Sequence, residues 1–243
     1  MRYGEGLFIG YRYYDAKGID TAFPFGHGLS YTSFSYSNLK VSQQSFKYNE
    51  GLQVSVDISN TGEVAGKEIV QLYVRDTAAS LLRPDKELKA FGKVALEPGE
   101  SKTLSFQLDE RSFAFYHPGH KGWIVEKGSF DILVGASAID IRLQERVEVI
   151  EGPVLASLLN HESTVREWLN DPKGKAIFEP MFQQIVKGFS ASLGGDQDAN
   201  IGMDMTDFML DLPLLSLFNF QDHVMSVTPE AQLESLLAQV HSH

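Results

Sequence analysis

The residues whose types and spacing could support chemistry are few, and the most suggestive are Gly26-His27-Gly28 and the nearby Ser30. A histidine in a glycine-rich loop beside a serine could form the tip of a catalytic or metal site. The serine turn of α/β-hydrolases needs a glycine two residues after the serine, where this chain has Thr32, and it must lead into a helix. We therefore interpret residues 23–39, FPFGHGLSYTSFSYSNL, as a tight turn that leads into strands.

The other histidines do not predict a metal site. His117 and His120 are three residues apart, but they flank Pro118-Gly119, and a Pro-Gly turn cannot aim both rings at one metal ion as a helix could. We interpret this segment as a solvated hairpin loop. His241 and His243 lie at the end of the sequence and are interpreted as incidental. The prediction is therefore that the chain holds no metal-ligating residue.

Carboxylates also come in pairs that could be compared with those of glycosidases, which need two of them. The pairs are Asp109-Glu110 and Asp85 with Glu87. On a sheet protein such residues are more often solvated charges at strand ends, and we adopt that interpretation. The prediction for site residues is that none is catalytic and none binds a cofactor.

Composition excludes several classes of function. The net charge of −11 argues against a nucleic-acid-binding surface and against attraction to an anionic membrane, and no apolar run is long enough to span one. The chain has no cysteine, which excludes disulfides and thiol chemistry and favours a cytoplasmic location. Residues 1–150 carry a net charge of −2 and residues 151–243 one of −9, so the two parts differ in kind.

A run of strands is predicted between residue 34 and about residue 150. Leu52, Val54, Val56 and Ile58 alternate with polar residues, the period that buries one face of a strand. Similar runs recur with turn residues between them, and Pro98-Gly99 is typical of a hairpin turn. About seven strands fit, which predicts an antiparallel β-sandwich of the immunoglobulin or fibronectin type III kind.

The last ninety residues have a helical pattern. Thr164 and Glu167 match a capping box, and Thr228-Pro229 begins a closing helix. Pro180 is expected to break or kink the helix that contains it. Residues 194–204 are predicted to form an acidic, mobile loop. We expect this segment to be too polar to form a compact domain alone, and to pack as an extension against something larger.

With these stretches identified, the chain resembles the C-terminal region of family 3 glycoside hydrolases of the β-glucosidase type. The resemblance is strong over residues 3 to about 150. It rests on the ordered stretches YGEGLFIGYRYYD, FPFGHGLSYTSFSYSNL, VDISNTGEVAGKEIVQLYVRD, LRPDKELKAFGKVALEPGESKTLSFQLDERSFAFY and GSFDILVGASAIDIRL. It implies three parts: residues 1–25 as the end of an α/β domain and a linker, residues 26–152 as a fibronectin type III-like sandwich, and residues 153–243 as a helical extension.

The resemblance also implies what the chain does and does not do. In that family an Asp nucleophile from a barrel and a Glu from the following α/β domain hydrolyse β-glucosides with retention, and neither residue has a counterpart here. We therefore expect an accessory region that is inactive alone, whose partners are the barrel and the α/β domain. The loop Ser80–Glu87 is the best candidate to approach an active-site rim, with a plain contact between domains or a solvent-facing position as the favoured alternative.

Further expectations concern surfaces. Tyr3, Leu7, Phe8, Tyr11 and Tyr13 should form a partly exposed apolar patch, and Phe23, Pro24, Phe25 and Leu29 should anchor the bend around His27. The apolar stripes of the tail also permit a homo-oligomer. The alternative function is a standalone carbohydrate-binding or interaction module, which would need exposed aromatics. Of the two tryptophans, Trp123 is interpreted as a strand residue and Trp168 as part of a helix face.

Overall fold

The computed structural model describes residues 4–192, 205–220 and 227–242 of the chain. The chain divides into two compact units, residues 1–154 and residues 155–243. Strands account for more of the described residues than helices do, so the protein is mainly β. All the strands among these described residues lie in the first unit.

Ten strands make up most of the first unit, more than the seven expected, because three of them are only three residues long. They are β1 (Phe34–Val41), β2 (Ser45–Lys47), β3 (Leu52–Asn60), β4 (Gly66–Asp76), β5 (Glu87–Leu96), β6 (Ser101–Leu108), β7 (Phe115–His117), β8 (Gly122–Ile124), β9 (Gly128–Gly135) and β10 (Ile141–Glu151). Two short helices accompany them, α1 (Tyr11–Lys17) and α2 (Glu110–Phe113).

The strands form a three-stranded sheet of order β1-β3-β6, a five-stranded sheet of order β2-β10-β9-β4-β5 and the two-stranded pair β7-β8. The expectation of antiparallel pairing throughout was wrong at one place, because β2 runs parallel to β10. The five-stranded sheet is therefore mixed. The short β2 brings Phe46 beside Val149, and both side chains are buried, which explains why the chain adds this strand at the edge.

The predicted alternation in β3 is present in the structure. Leu52, Val54, Val56 and Ile58 are all fully buried, while the residues between them are exposed or half-buried. They pack in one cluster with buried residues of the five-stranded sheet, such as Val70, Ile132 and Val147. One continuous apolar core thus contains side chains from both sheets.

The turn at Pro98-Gly99 does not make a hairpin. It joins β5 to β6, but β5 pairs with β4 and β6 pairs with β3, so the two strands belong to different sheets. Gly99 has the positive φ of 72° that the turn requires, and its N–H donates to the carbonyl of Asn60. The prediction of a turn was correct, and the prediction of a hairpin was wrong.

The second unit is helical and has a core of its own. Its described helices are α3 (Val165–Asn170), α4 (Pro172–Ser192), α5 (Met205–Leu210), α6 (Leu214–Asn219) and α7 (Pro229–His241). Buried side chains from all five helices form one cluster, which includes Trp168, Phe178, Met209, Leu217 and Leu236. The expectation that this segment lacks a compact core was wrong, because its apolar stripes face one another.

Local signals in the second unit placed two helix starts correctly. Thr164 and Glu167 form the predicted capping box, and Thr228 caps α7 by accepting from the N–H of Ala231. Pro180 does not break α4, which continues through it. Phe178 and Phe182 are buried on either side of Pro180 and hold the helix against the core. The predicted acidic loop, residues 194–204, lies outside the described residues.

Candidate functional site

The 80–87 loop, residues Ser80–Glu87, follows β4 and ends on the first residue of β5, and it is a candidate contact site. Its first residue is held by Glu126, whose carboxylate accepts from the backbone N–H of Ser80 at 3.0 Å and from the Ser80 hydroxyl. Leu82 at the tip is 81% exposed. The loop therefore presents an apolar side chain to solvent from an anchored base.

Arg83 anchors the other side of the loop. Its guanidinium is buried and donates to Asp76 at 2.8 Å and to Glu87 at 3.2 Å. The same group lies over the ring of Phe115, 5.1 Å from its centroid. Two carboxylates and an aromatic face thus compensate the desolvated cation, an arrangement that fixes the backbone of the loop.

Helix α1 is tied to this loop by further charges. Arg12 lies 2.9 Å from Glu87, and Lys86, which is buried, lies 2.6 Å from Asp15. The backbone N–H of Leu88 also donates to the hydroxyl of Tyr11 at 2.8 Å. Residues more than seventy positions apart in sequence therefore form one network, which we call the α1–loop network.

The electrostatics of the network follow from its cations. Burial disfavours the charged form of Glu87, but Lys89, Arg12 and Arg83 outweigh it, and the pKa of this carboxyl lies below its ordinary value. Burial lowers the pKa of Lys89, with Glu87 opposing the shift. The network is therefore built around an ionised Glu87.

The carboxylates of the two pairs considered from sequence, Asp85 with Glu87 and Asp109 with Glu110, mostly make structural contacts. Glu87 is surrounded by cations, so its interpretation as a solvated charge was wrong. Asp85 is partly exposed and pairs with Arg75 at 2.7 Å. Asp109 caps α2, where its carboxylate accepts from the backbone N–H of Ser112 at 3.0 Å. Glu110, in the first turn of that helix, is a charge that the helix dipole favours.

His27 lies in a turn that the structure anchors through its neighbour Phe25. The ring of Phe25 stacks on Tyr11, 5.0 Å between centroids, and its carbonyl accepts from the N–H of Ala138. The His27 ring lies 5.2 Å from that of Phe23. Phe23 and Leu29 are 75% and 93% exposed within this chain, and their role as anchors of the bend stays a prediction.

The nearby serine and the first apolar residues complete this region. The Ser30 hydroxyl accepts from the backbone N–H of Thr32. Leu7 and Tyr13 are exposed as expected, while Tyr11 is half-buried against the core of the unit. Phe8 is half-buried as well. Tyr3 lies outside the described residues.

The two histidines at 117 and 120 do come together. Their ring centroids are 4.6 Å apart, and Nδ1 of His117 accepts from the backbone N–H of His120. Burial lowers the pKa of His120, and the electrostatic effect of the neighbouring His117 lowers it further to a smaller extent. Within residues 4–192, 205–220 and 227–242, no group of three or more His, Cys, Asp or Glu side chains is placed to hold a metal ion. His241 ends α7, and His243 lies outside the described residues.

Sequence reasoning missed both the α1–loop network and a second feature, the face of the hairpin β7-β8. Tyr116 and Trp123 are direct cross-strand partners there, and the guanidinium of Arg111 lies 3.4 Å from the centroid of the Trp123 ring. The sequence signal for both features was limited to the presence of complementary residue types, namely acids with bases and aromatics with arginine. For the α1–loop network, these residues are also far apart in the sequence. In the part of the chain that the structure describes, no helix is long and apolar enough to cross a membrane.

Comparison with known proteins gives these features a context. Residues 68–138 match the model of the fibronectin type III-like domain. The chain is 42% identical over 242 residues to thermostable beta-glucosidase B of Acetivibrio thermocellus, which covers 100% of this chain and 31% of that protein. It is 43% identical over 176 residues to an exo-alpha-(1->6)-L-arabinopyranosidase of Bifidobacterium breve, covering 72% of this chain and 23% of that protein.

A solved structure agrees with the sequence relatives. The crystal structure of a GH3 beta-glucosidase from Bifidobacterium adolescentis superposes with a TM-score of 0.65 at 40% identity, over 72% of this chain and 25% of that one. The chain thus spans less than a third of the length of these relatives. It corresponds to the C-terminal region of family 3 glycoside hydrolases, as its sequence motifs indicated, and it carries their fibronectin type III-like domain.

Proposed function

We propose that this chain is the accessory region of a β-glucosidase-type family 3 glycoside hydrolase, that it is inactive alone, and that it braces a catalytic barrel and an α/β domain. The observation that carries this proposal is the match of the whole chain to only 31% of a β-glucosidase. The activity of the larger protein would be hydrolysis of β-glucosides with retention. Its sugar specificity is left open, because one relative is named an arabinopyranosidase.

The state of the carboxylates supports the absence of a catalytic pair. A retaining glycosidase needs one carboxylate free to attack the sugar and a second free to exchange a proton. Glu87 is paired with Arg12 and Arg83, and Asp109 caps a helix. We therefore propose no catalytic, cofactor-binding or metal-ligating residue in this chain.

The architecture that we propose is a β-sandwich followed by a helical extension. The two sheets share one apolar core, and the domain match lies within the first unit, which supports a fibronectin type III-like sandwich. We propose residues 1–25 as the end of an α/β domain with its linker, residues 26–152 as the sandwich and residues 153–243 as the extension. A cytoplasmic location is part of the same proposal.

The surface that we propose for contact with the catalytic domains follows residues 4–31. Leu29 and Tyr31 are 93% and 101% exposed, and Phe23, six residues before Leu29, is exposed as well. Adjacent exposed apolar side chains of this size are typical of an interface. Leu82 at the tip of the 80–87 loop is the second element, and either a rim contact or a plain interdomain contact would cover it.

The test is a replacement experiment in thermostable beta-glucosidase B. This chain alone should release no nitrophenol from p-nitrophenyl β-glucoside. The relative shortened by its matched region should lose activity, and a chimera with this chain in its place should regain it. Turnover by the chain alone, or full activity of the shortened relative, would overturn the proposal.

A matched pair of variants in the chimera tests the proposed surface. Leu29→Ser with Tyr31→Ser should lower the thermal stability and activity of the chimera, because these side chains would be buried against the catalytic domains. Ile139→Ser is the control, since Ile139 is also an exposed aliphatic residue, at 70%, outside residues 4–31. Equal effects of both changes would contradict this surface.

Self-association through the tail stays a prediction. Leu233, Leu236, Leu237 and Val240 of α7 are buried in the core of their own unit, so a homo-oligomer would have to use other surfaces of the helices. Light scattering on the chain and on a version that ends at Glu151 would measure it. Association through the tail would be indicated if the shortened version has fewer copies per particle than the full chain has.

A further inference from the structure

The hairpin formed by β7 and β8 presents two aromatic side chains on one face. Tyr116 and Trp123 are directly opposite each other in the pair, so both rings lie on the same side of it. Their centroids are 5.8 Å apart and their planes meet at 73°. Tyr116 is 51% exposed and Trp123 is 49% exposed. The accessory role proposed above does not account for this surface.

Arg111 of α2 holds the tryptophan from one side. Its guanidinium carbon is 3.4 Å from the centroid of the Trp123 ring, a close cation–π contact. The guanidinium covers one face of the Trp123 ring, and the residue as a whole still remains about half exposed. Arg111 is itself exposed, so this contact lies at the surface of the unit.

We propose that Trp123, Tyr116 and Arg111 form a binding surface for neutral β-linked glucosyl chains. A β-glucosyl ring has its hydroxyl groups in the plane of the ring, so its faces consist of C–H groups that can pack on an aromatic face. Burying the exposed indole against such a face gains apolar contact area. Arg111 contributes by holding the Trp123 ring in place through its cation–π contact.

The other exposed aromatics lack this combination. Phe91 on the edge strand β5 is 71% exposed, but no aromatic partner or cation contacts its ring among the described residues. The hairpin face offers only two rings, which is much less than the roughly 800 Å² per partner of a stable protein interface. A short saccharide therefore fits this face better than a protein partner does.

The first test uses the fluorescence of the whole chain. Trp123 and Trp168 are the only tryptophans, and Trp168 is completely buried, so a solvent-dependent change reports on Trp123. Cellohexaose should shift the emission to shorter wavelength with saturation at a Kd of about 1 mM, and should protect against acrylamide quenching. No saturable change up to about 10 mM would overturn the proposal.

The second test compares variants by affinity electrophoresis in gels that contain soluble β-glucan. Trp123→Ala should weaken retardation at least about tenfold, and Arg111→Gln should weaken it severalfold. Phe91→Ala, which removes an even more exposed aromatic elsewhere on the same unit, should leave the retardation unchanged. If Trp123→Ala disturbs the hairpin, Trp123→Tyr keeps an aromatic ring there and should bind with intermediate affinity.

Two results would overturn the proposal, namely equal retardation of the Trp123 and Phe91 variants and a preference for polygalacturonate over neutral glucan. The second would show that the cation of Arg111, rather than ring stacking, is recognised. The surface does not depend on the accessory role. Its failure would leave the chimera experiment unaffected, and a failed chimera would leave the glucan titration unaffected.

Discussion

The side-chain amide of Asn60 donates a hydrogen bond to the main-chain carbonyl of Leu96 at 3.1 Å, which joins the end of β3 to the end of β5. The same amide donates to the carbonyl of Val64 at 2.8 Å. Its oxygen accepts from the Thr32 hydroxyl at 2.6 Å and from the N–H of Gly62 at 3.0 Å. One buried side chain, satisfied by four hydrogen bonds, thus connects the two sheets and the turns beside them.

Asn60→Ala should therefore lower the free energy of unfolding of the first unit by about 3 kcal/mol, because four partners, the buried carbonyl of Leu96 among them, lose their hydrogen bonds together. The control is Asn38→Gly. Asn38 makes one exposed hydrogen bond, to Asp57, and has a positive φ that glycine tolerates, so the change should stay within about 0.5 kcal/mol. Urea unfolding followed by hydrogen exchange of peptides from β3 and β5 measures both. Similar losses would contradict the role of Asn60.

Gly26→Ala should lower the stability of the same unit by about 2 kcal/mol. The φ of Gly26 is +84°, and a Cβ there would lie 1.9 Å from Nε2 of Gln71. Gln71 cannot easily move, since it is buried and bonded to Tyr73 and to the carbonyl of Ala136.

Gly28→Ala, two residues away, meets nothing within 4 Å and has no unfavourable φ. Its midpoint of thermal unfolding should match that of the unchanged chain. Equal midpoints for the Gly26 and Gly28 variants would show that the bend is looser than the structure indicates.

Glu87→Gln should change how stability depends on pH. The pKa of Glu87 is lowered from 4.5 in the folded state, so its ionised form stabilises the protein above pH 4.5, and that contribution is lost as the pH falls through the lowered pKa. The variant should lose about 2 kcal/mol at pH 7. The difference from the unchanged chain should shrink below pH 4.5. Unfolding by urea at a series of pH values measures this difference.

The control for this series is Glu63→Gln, because Glu63 is an exposed carboxylate in the turn between β3 and β4. Its stability should follow that of the unchanged chain at every pH. A constant difference between Glu87→Gln and the unchanged chain from pH 7 to pH 3 would mean that Glu87 stabilises the loop through packing and not through its charge.

Leu217→Ala should destabilise the helical unit by about 3 kcal/mol, since the side chain is completely buried among residues of that unit. Leu158→Ala removes the same atoms from a residue that is 45% exposed, and should cost less than about 1 kcal/mol. Circular dichroism at 222 nm during thermal unfolding reports on the helices. Equal effects would contradict an independent helical core.

Several parts of the fold could be predicted from sequence because their causes are local. The alternation of Leu52 to Ile58 set the buried face of β3, and the capping residues Thr164 and Thr228 marked helix starts. The ordered motifs of residues 3–150 indicated the family. In each case the determining residues lie within a few positions of one another, or form a pattern that can be compared directly.

The strands with which β5 and β6 pair could not be predicted in this way, because β5 pairs with β4 and β6 pairs with β3. A Pro-Gly turn has the same local geometry whether it closes a hairpin or connects two sheets. The choice depends on which partners bury Leu96 and Phe106, and on the hydrogen bonds of Asn60 to the turn. The compactness of the helical tail was not predicted for a related reason. The apolar stripe of each helix is short, and the stripes form a core only when the helices pack together.

The sequence by itself determined that this chain is mainly β with a helical tail, that its motifs are those of family 3 glycoside hydrolases, and that it contains no cysteine chemistry. Only the tertiary structure decided that Arg12 meets Glu87, that Asn60 connects two sheets, and that Arg111 covers one face of Trp123. Contacts of this kind depend on distance and desolvation between residues that different elements bring together. Sequence spacing does not encode those two quantities, whereas packing sets both.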